Sequence, residues 1–453
     1  MRTLIDDSPR TAASLTATIA RPSGHRDVRP YGEAKGLILR LVERFALLGF
    51  GLYHLPLFLN NYPSLGGGGM SEHGLAISWG HVFTPPGIWV AHHVFHIAGA
   101  MPNGYQGDNG DVAEEFGRLL IALVIAALGA ITWTWADRRR PGARWVSDAL
   151  QLLLRYSIAL GLTGYAIAKI LPLQFGTGTL EPLALESRLG ELSPMGLLWS
   201  FMMSSRPYAF FGGVMEVAVV LLLCFRRTAT LGALLCLAVM TNVALLNYAY
   251  GVPVKLYSTM IVLSAAVLVM YDARRLWTVF VTNRAVPRID RSAFYDRIPG
   301  WALWTTKGVL VGSVFASSVF AMASFTGTRS SQSVSATDSP VGAWKVTAFA
   351  IEPRGATGSP TPWVRVFVRD RMVAMRLATD SLVFCRRTTP TDAHSLSFAC
   401  PGKHQGDVRW SRAGDVIQLA GTMDGTPLQV TATELRPTDY ALLRWRFRWI
   451  DER

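Results

Sequence analysis

The sequence predicts an α-helical polytopic membrane bundle of about seven spans, followed by a C-terminal all-β sandwich or barrel domain. Three observations carry this reading. Charged residues make up only 17% of the 453 residues, against about 25% in soluble domains. Mean hydropathy is +0.27, because the apolar residues gather into runs of roughly 20, the length that crosses a bilayer as a helix. From residue 341 onward the runs shorten and begin to alternate, which is strand patterning.

The elements follow in order. Residues 1–35 carry Arg2, Arg10, Arg21, Arg26, Arg29 and Lys35 and hold no apolar core; they read as a disordered basic cytoplasmic tail, not a signal peptide. The bundle proper is 36–275. Its spans are expected near 37–59, 116–136, 149–171, 208–225, 229–250 and 253–271, and the last span at 301–324 follows a loop at 276–300. DRRRPGAR, FRRT and the basic stretch from DARRLW to DRIPG fall on the same side as the tail when every segment spans. Positive residues favour the cytoplasmic side, so the expected home is a bacterial inner membrane with the N-terminus cytoplasmic. The two long loops, 60–115 and 172–207, then face outward, as does the C-terminal domain. The net charge of +13 belongs to these cytoplasmic segments facing anionic lipid. No basic face or reader motif points to nucleic acid.

The second outward loop contains SPMGLLWSFMM, whose Met195, Leu198, Trp199 and Met202 recur at helical spacing, the pattern of an interfacial or re-entrant helix. A Ser/Thr-rich linker, 325–340, leads to the β domain at 341–453. There, AWKVTAFAI, WVRVFVR, SLVFC, SLSFAC, DVIQLAG and PLQVTATEL read as strands, with MDGT as a hairpin turn. Folding the chain about Thr391–Ala393 sets Cys385 opposite Cys400, so a cross-strand disulfide is expected in an oxidising compartment. Two free buried thiols are the alternative.

Ionisable residues inside spans are costly and mark candidate function. Glu216 lies about eight residues, roughly 12 Å, inside the fourth span. A carboxylate is too short to reach water from there, so it must be paired, neutral or beside a wet cavity. Lys169 and Lys255 lie at similar depth, Tyr165 shares a helix face with Lys169, and Gln174, Asn242, Asn247 and His54 also belong to the outer half. The expected site is an outer-leaflet polar pocket, with Lys169 and Glu216 as its reactive groups. Tyr165, Gln174, Asn247, Lys255 and His54 would bind the substrate. An ion pair that only orients helices is the alternative. Arg155 lies in the cytoplasmic half, where it can snorkel.

Six of the nine histidines fall between His54 and His96. On a helix His92 and His96 are four residues apart, a spacing that holds metal or haem; a pocket rim and a plain interfacial helix compete with that reading. HHxxH lacks the glutamate of the HExxH motif. In GDNGDVAEE, Asp111 with Glu114 three residues on reads as a helix cap, not as a calcium loop.

Along the chain, NGYQGDNGDVAEEF, LLRYSIALGLTGYAIAKILPLQF, SPMGLLWSFMMSSRPYAFFGGVMEVAVVLLL, NVALLNYAYGVPVKLYS and RWRFRWIDER resemble the DoxX-like family of bacterial membrane proteins, in its larger form with a C-terminal extramembrane domain. The resemblance implies a helical bundle in the inner membrane and, by way of some relatives, quinone-linked electron transfer. It also leads one to expect an acidic residue before VPVK, where this chain has Gly251. The functional expectation is a membrane protein that binds a small hydrophobic or redox molecule, such as a quinone; as an enzyme it would be a membrane oxidoreductase. A transporter or lipid-handling protein is the first alternative. A scaffold whose β domain docks a periplasmic or membrane protein partner is the second.

Overall fold

The computed structural model describes residues 36–61, 75–97, 111–139, 144–171, 174–175, 182–286, 339–351, 361–369, 372–388, 394–436 and 439–440, with isolated positions from 300 to 312. The basic tail and the expected seventh span at 301–324 fall outside this set or almost so.

The long helices are α1 (Leu37–Asn61), α2 (Leu75–His93), α3 (Ala113–Ala136), α4 (Arg144–Ile170), α7 (Arg206–Cys224), α8 (Ala229–Ala249) and α9 (Lys255–Phe280). Two short ones, α5 (Pro182–Glu186) and α6 (Pro194–Ser204), lie between α4 and α7. Among the described residues α3, α4, α7, α8 and α9 are each long and apolar enough to cross a membrane. The chain is a multi-pass membrane protein. The first expected span forms as α1, with Arg40, Glu43 and Arg44 near its start.

The bundle has two ends. At the basic end Arg44 is buried against Asp137 at 2.5 Å, and its guanidinium lies 4.7 Å from the centroid of Trp133. Glu43 accepts from Ser147 at 2.9 Å, and the Tyr271 hydroxyl donates to it at 3.5 Å. Arg155 does not snorkel. It is buried, and its Nε and Nη2 donate to the carbonyl of Leu223 at 2.9 and 2.6 Å. The last carbonyls of a helix have no partner within it, so Arg155 on α4 satisfies the end of α7 and complements its dipole.

Part of the loop expected at 60–115 is the helix α2, which packs against α3 where Gly87 and Gly117 bring the two backbones together. Arg118 of α3 donates to Thr84 of α2 and pairs with Glu114 and Glu115. α6 begins as its sequence dictates: Ser193 caps it by accepting from the Gly196 amide at 3.0 Å, and Pro194 opens the first turn. Leu198 and Met202 then pack with Phe175, Ala209 and Val252 over the start of α7.

The C-terminal domain resolves the sandwich-or-barrel alternative. Strands β1 (Gly342–Ile351), β2 (Trp363–Val368), β3 (Met372–Leu377), β4 (Leu382–Arg387), β5 (Ser395–Ala399), β6 (Gln405–Ala413), β7 (Val416–Met423) and β8 (Thr426–Glu434) form a closed antiparallel barrel in which β8 pairs with β1. Alternate residues point inward. Trp344, Trp363, Val366, Met375, Phe398, Trp410 and Leu419 fill the interior, as expected of a small eight-stranded barrel. Arg412 lies over Trp344, 4.9 Å from the ring, and pairs with Glu434 at 2.9 Å. Register sets Arg386 against Ala399, and the adjoining Cys385 and Cys400 are joined as a disulfide.

The barrel is latched to the bundle's other end, the barrel end. Arg365 pairs with Glu186 at 2.5 Å. Arg376 donates to the Glu186 carbonyl and pairs with Glu191 at 3.3 Å, and Arg188 pairs with Asp380. Leu183 covers Ala343, Phe367 and Ala374 on the outer barrel wall. The amide of Arg188, and after it the Arg376 guanidinium, hold the Glu191 carboxyl below its ordinary range. A depressed carboxyl stabilises the fold above its unfolded pKa and loses that contribution as pH falls through the folded value, so this side of the latch loosens in acid.

Closing the 15-residue separation between Cys385 and Cys400 removes unfolded-state entropy worth about 3 kcal/mol. Reduction in the full chain is therefore expected to lower the thermal midpoint of the barrel, followed by near-ultraviolet circular dichroism, while the far-ultraviolet helical signal of the bundle persists at that temperature.

Candidate functional site

The site is built on the contact between α4 and α7. Both helices use small residues there. A Cβ on Gly213 would lie 2.8 Å from Ile170 Cγ1, 2.9 Å from the Ala166 carbonyl and 3.0 Å from Lys169 Cβ. Only glycine permits this approach. It lays the Lys169 stem across α7, where a Cβ on Gly212 would lie 3.7 Å from the Lys169 Cδ. Glu216 follows Gly213 by three residues and so shares its helix face.

Lys169 Nζ donates to both carboxylate oxygens of Glu216, at 2.8 and 2.9 Å, and both side chains are buried. The predicted pair therefore exists, and its two bonds occupy the carboxylate. The Tyr165 ring lies 5.7 Å from Lys169 Nζ and 5.8 Å, centroid to centroid, from Tyr257 of α9. Gly161 leaves space for the Tyr257 hydroxyl against α4. Tyr257 also lies within electrostatic range of Tyr53 and Glu216, and Tyr53 within range of Asp111 and Glu115. Tyr165 and Tyr257 thus form an aromatic wall beside Lys169. Sequence reasoning missed Tyr53 and Tyr257; their spacing to residues on other helices carries no signal without the packing.

Gln174, just past α4, donates its backbone N–H to Ala168. Its Oε1 is buried and has no hydrogen-bond partner among the described residues. The other expected members sit differently. Lys255 does not complete a centre with Lys169 and Glu216; its Nζ lies 3.2 Å from Asp111. Asp111 does not cap α3 either, since Val112 holds that position with no side-chain bond. It accepts from the amides of Lys255 and Leu256, each at 2.8 Å, and so caps α9, more than a hundred residues away. Gly251 takes a left-handed backbone, φ +66°, in the turn before α9, a conformation that suits glycine. Asn247 donates to Ser258 at 3.1 Å, tying α8 to α9. His54 is buried, with Nε2 3.1 Å from Ser264 of α9. Ser264 is nine residues into α9, about 13 Å by helical rise, a depth similar to that of Glu216.

The histidine run ends α2. The helix stops at His93, and His96 takes a positive φ of 53° beyond it, so His92 and His96 do not share a helical face as a ligand pair would. Both are exposed. His93 stacks on Trp89 with centroids 4.8 Å apart and bonds to its carbonyl. Among the described residues no group of three or more His, Cys, Asp or Glu side chains is placed to hold a metal ion.

The chain is similar to an uncharacterised protein of Bacillus subtilis, YwoB. The two are 29% identical over 135 residues, which are 30% of this chain and 84% of YwoB. No family model matches the sequence, and no solved structure matches it.

Replacing Lys169 by methionine strands a buried carboxylate, a change that costs about 3–5 kcal/mol when a buried pair loses one partner. Thermal unfolding in detergent is expected to show that loss for Lys169→Met, and the double variant with Glu216→Gln should recover a large part of it.

Proposed function

We propose that this protein binds a small hydrophobic or redox molecule, chemically a quinone, in a polar pocket at the barrel end of its membrane bundle. The observation that carries the reading is the buried Lys169–Glu216 pair, doubly bonded and bordered by Tyr165 and Tyr257. An intramembrane ion pair is expensive to bury, and donors beside an aromatic wall suit a planar ligand with carbonyl oxygens. The Oε1 of Gln174, without a hydrogen-bond partner among the described residues, offers an acceptor to a ligand hydroxyl.

In this reading Lys169 and the tyrosine hydroxyls orient the ligand's oxygens. Glu216 exchanges a proton with them when Lys169 turns to the ligand and releases the carboxylate. The quinone supplies two-electron chemistry when bound, and the electron source lies outside this chain. The resemblance to DoxX-like proteins agrees with this class of ligand but adds no residue to the site.

The proposal places the basic end in the cytoplasm and the barrel in the periplasm of a bacterial inner membrane. Arg138, Arg139, Arg226, Arg227, Arg274 and Arg275 gather at the basic end, as the positive-inside rule requires. The Cys385–Cys400 disulfide favours an oxidising compartment for the barrel.

Mass spectrometry of the organic extract from gently purified protein tests the pocket. A quinone enriched in the wild type and lost from Glu216→Gln is the expected result. Bulk phospholipid alone in both would leave the pair a purely helix-orienting device.

A further inference from the structure

Asn242, one of the polar residues that the sequence places inside the membrane, takes no part in the site. It lies on α8, thirteen residues from Ala229 and seven from Ala249, about 20 and 10 Å from the two ends at helical rise. Its side chain is nevertheless exposed. The two faces of α8 explain this. Gly232, Ala233, Cys236, Met240, Ala244 and Asn247 are buried, where α8 packs on α7 and α9. The opposite face, with Leu231, Ala238, Thr241, Asn242, Leu245 and Tyr248, points out of the bundle. Asn247, on the inner face, is satisfied by Ser258 at 3.1 Å. Asn242 has no hydrogen-bond partner among the described residues.

An outward carboxamide at that depth is costly. Lipid tails offer no hydrogen bonds, and a primary amide brings two N–H donors and a carbonyl acceptor. The other spans avoid the cost. Leu128 of α3, Val214 of α7 and Leu263 of α9 face outward and are apolar. Thr132 of α3 also faces outward, but its hydroxyl turns back onto its own helix and donates to the Leu128 carbonyl at 2.9 Å.

We propose that the outward face of α8 is the contact of a homodimer, in which Asn242 of one copy hydrogen-bonds Asn242 of the other. Two copies of a membrane protein insert the same way round. A two-fold axis between them therefore stands along the membrane normal, and α8 meets α8 in parallel with each residue near the axis facing its own copy. A carboxamide is complementary to itself: an N–H of each donates to the carbonyl oxygen of the other. Ala238 precedes Asn242 by four residues and shares its face. That small side chain lets the two backbones approach, as small residues do between membrane helices. Leu231 and Leu245, 58% and 63% exposed, lie on either side of this patch and supply the packing. A second copy thus presents an amide at the matching depth between matching aliphatic side chains. The dimer does not depend on the ligand proposed above.

Single-molecule photobleaching tests it. The full chain is labelled at its N-terminus and reconstituted in phosphatidylcholine–phosphatidylglycerol vesicles, and subunits are counted as protein density rises. The wild type is expected to pass from one bleaching step to two. Asn242→Leu places an apolar side chain against lipid and should leave the thermal midpoint unchanged. It is expected to raise the dissociation constant of the dimer about tenfold. Ala238→Ile should weaken the dimer as well, by holding the helices apart. Oxidative cross-linking reads the register in a chain whose Cys224 and Cys236 are replaced by alanine. Ala238→Cys should link two copies, and Ala244→Cys, on the inner face, should not.

Three results overturn the proposal: one bleaching step at every density, a dissociation constant unchanged in Asn242→Leu, or copies linked by Ala244→Cys and not by Ala238→Cys. A link formed within one chain between Ala238→Cys and Gly312→Cys would also overturn it, by assigning the outward face of α8 to the expected span at 301–324.

Discussion

The membrane bundle turns on one contact, the approach of α4 to α7 at Gly213. A side chain there would push the helices apart, and the Lys169 stem would no longer lie across α7 within reach of Glu216. The ion pair in turn holds the approach. Neither charge is tolerable alone at that depth, so each helix needs the other in one register. Arg155 repeats the device at the opposite end of the same two helices, by holding the terminal carbonyl of α7 from α4. The α4–α7 pair is thus pinned at both ends by cations of α4, and the tyrosine wall is assembled around it by α1 and α9.

Much of this was legible in the sequence for physical reasons. Hydropathy marks spans because an unpaired peptide cannot remain in lipid. Depth along a helix singled out Glu216, because a short carboxylate cannot reach water. Hairpin arithmetic joined Cys385 to Cys400, because antiparallel register is a count of residues. What could not be read depends on which helices are neighbours. Asp111 looks like the cap of the helix that follows it, yet it caps α9. Lys255 looks like a third member of the central charge cluster, yet Asp111 engages it first. The histidine spacing suggested a ligand pair, but the helix stops between them. Tyr53 and Tyr257 carry no local signal and acquire meaning only when α1, α4 and α9 converge.

The connection between α4 and α7 links the two halves of the molecule. Its α6 packs over the start of α7 with Phe175 and Val252. Its Glu186 and Glu191 are gripped by arginines of the barrel. The segment is therefore held on one side by the barrel and on the other by the bundle.

The closure of the barrel has a consequence for how the molecule is made. β1 finds its last partner only in β8, at the far end of the domain, and pairings between such distant segments form late. Arg365 and Arg376 lie on the adjacent strands β2 and β3. The connection they grip is translated more than a hundred residues earlier. During synthesis the helices thus enter the bilayer with that connection unclamped, and the barrel that grips it arrives only afterwards.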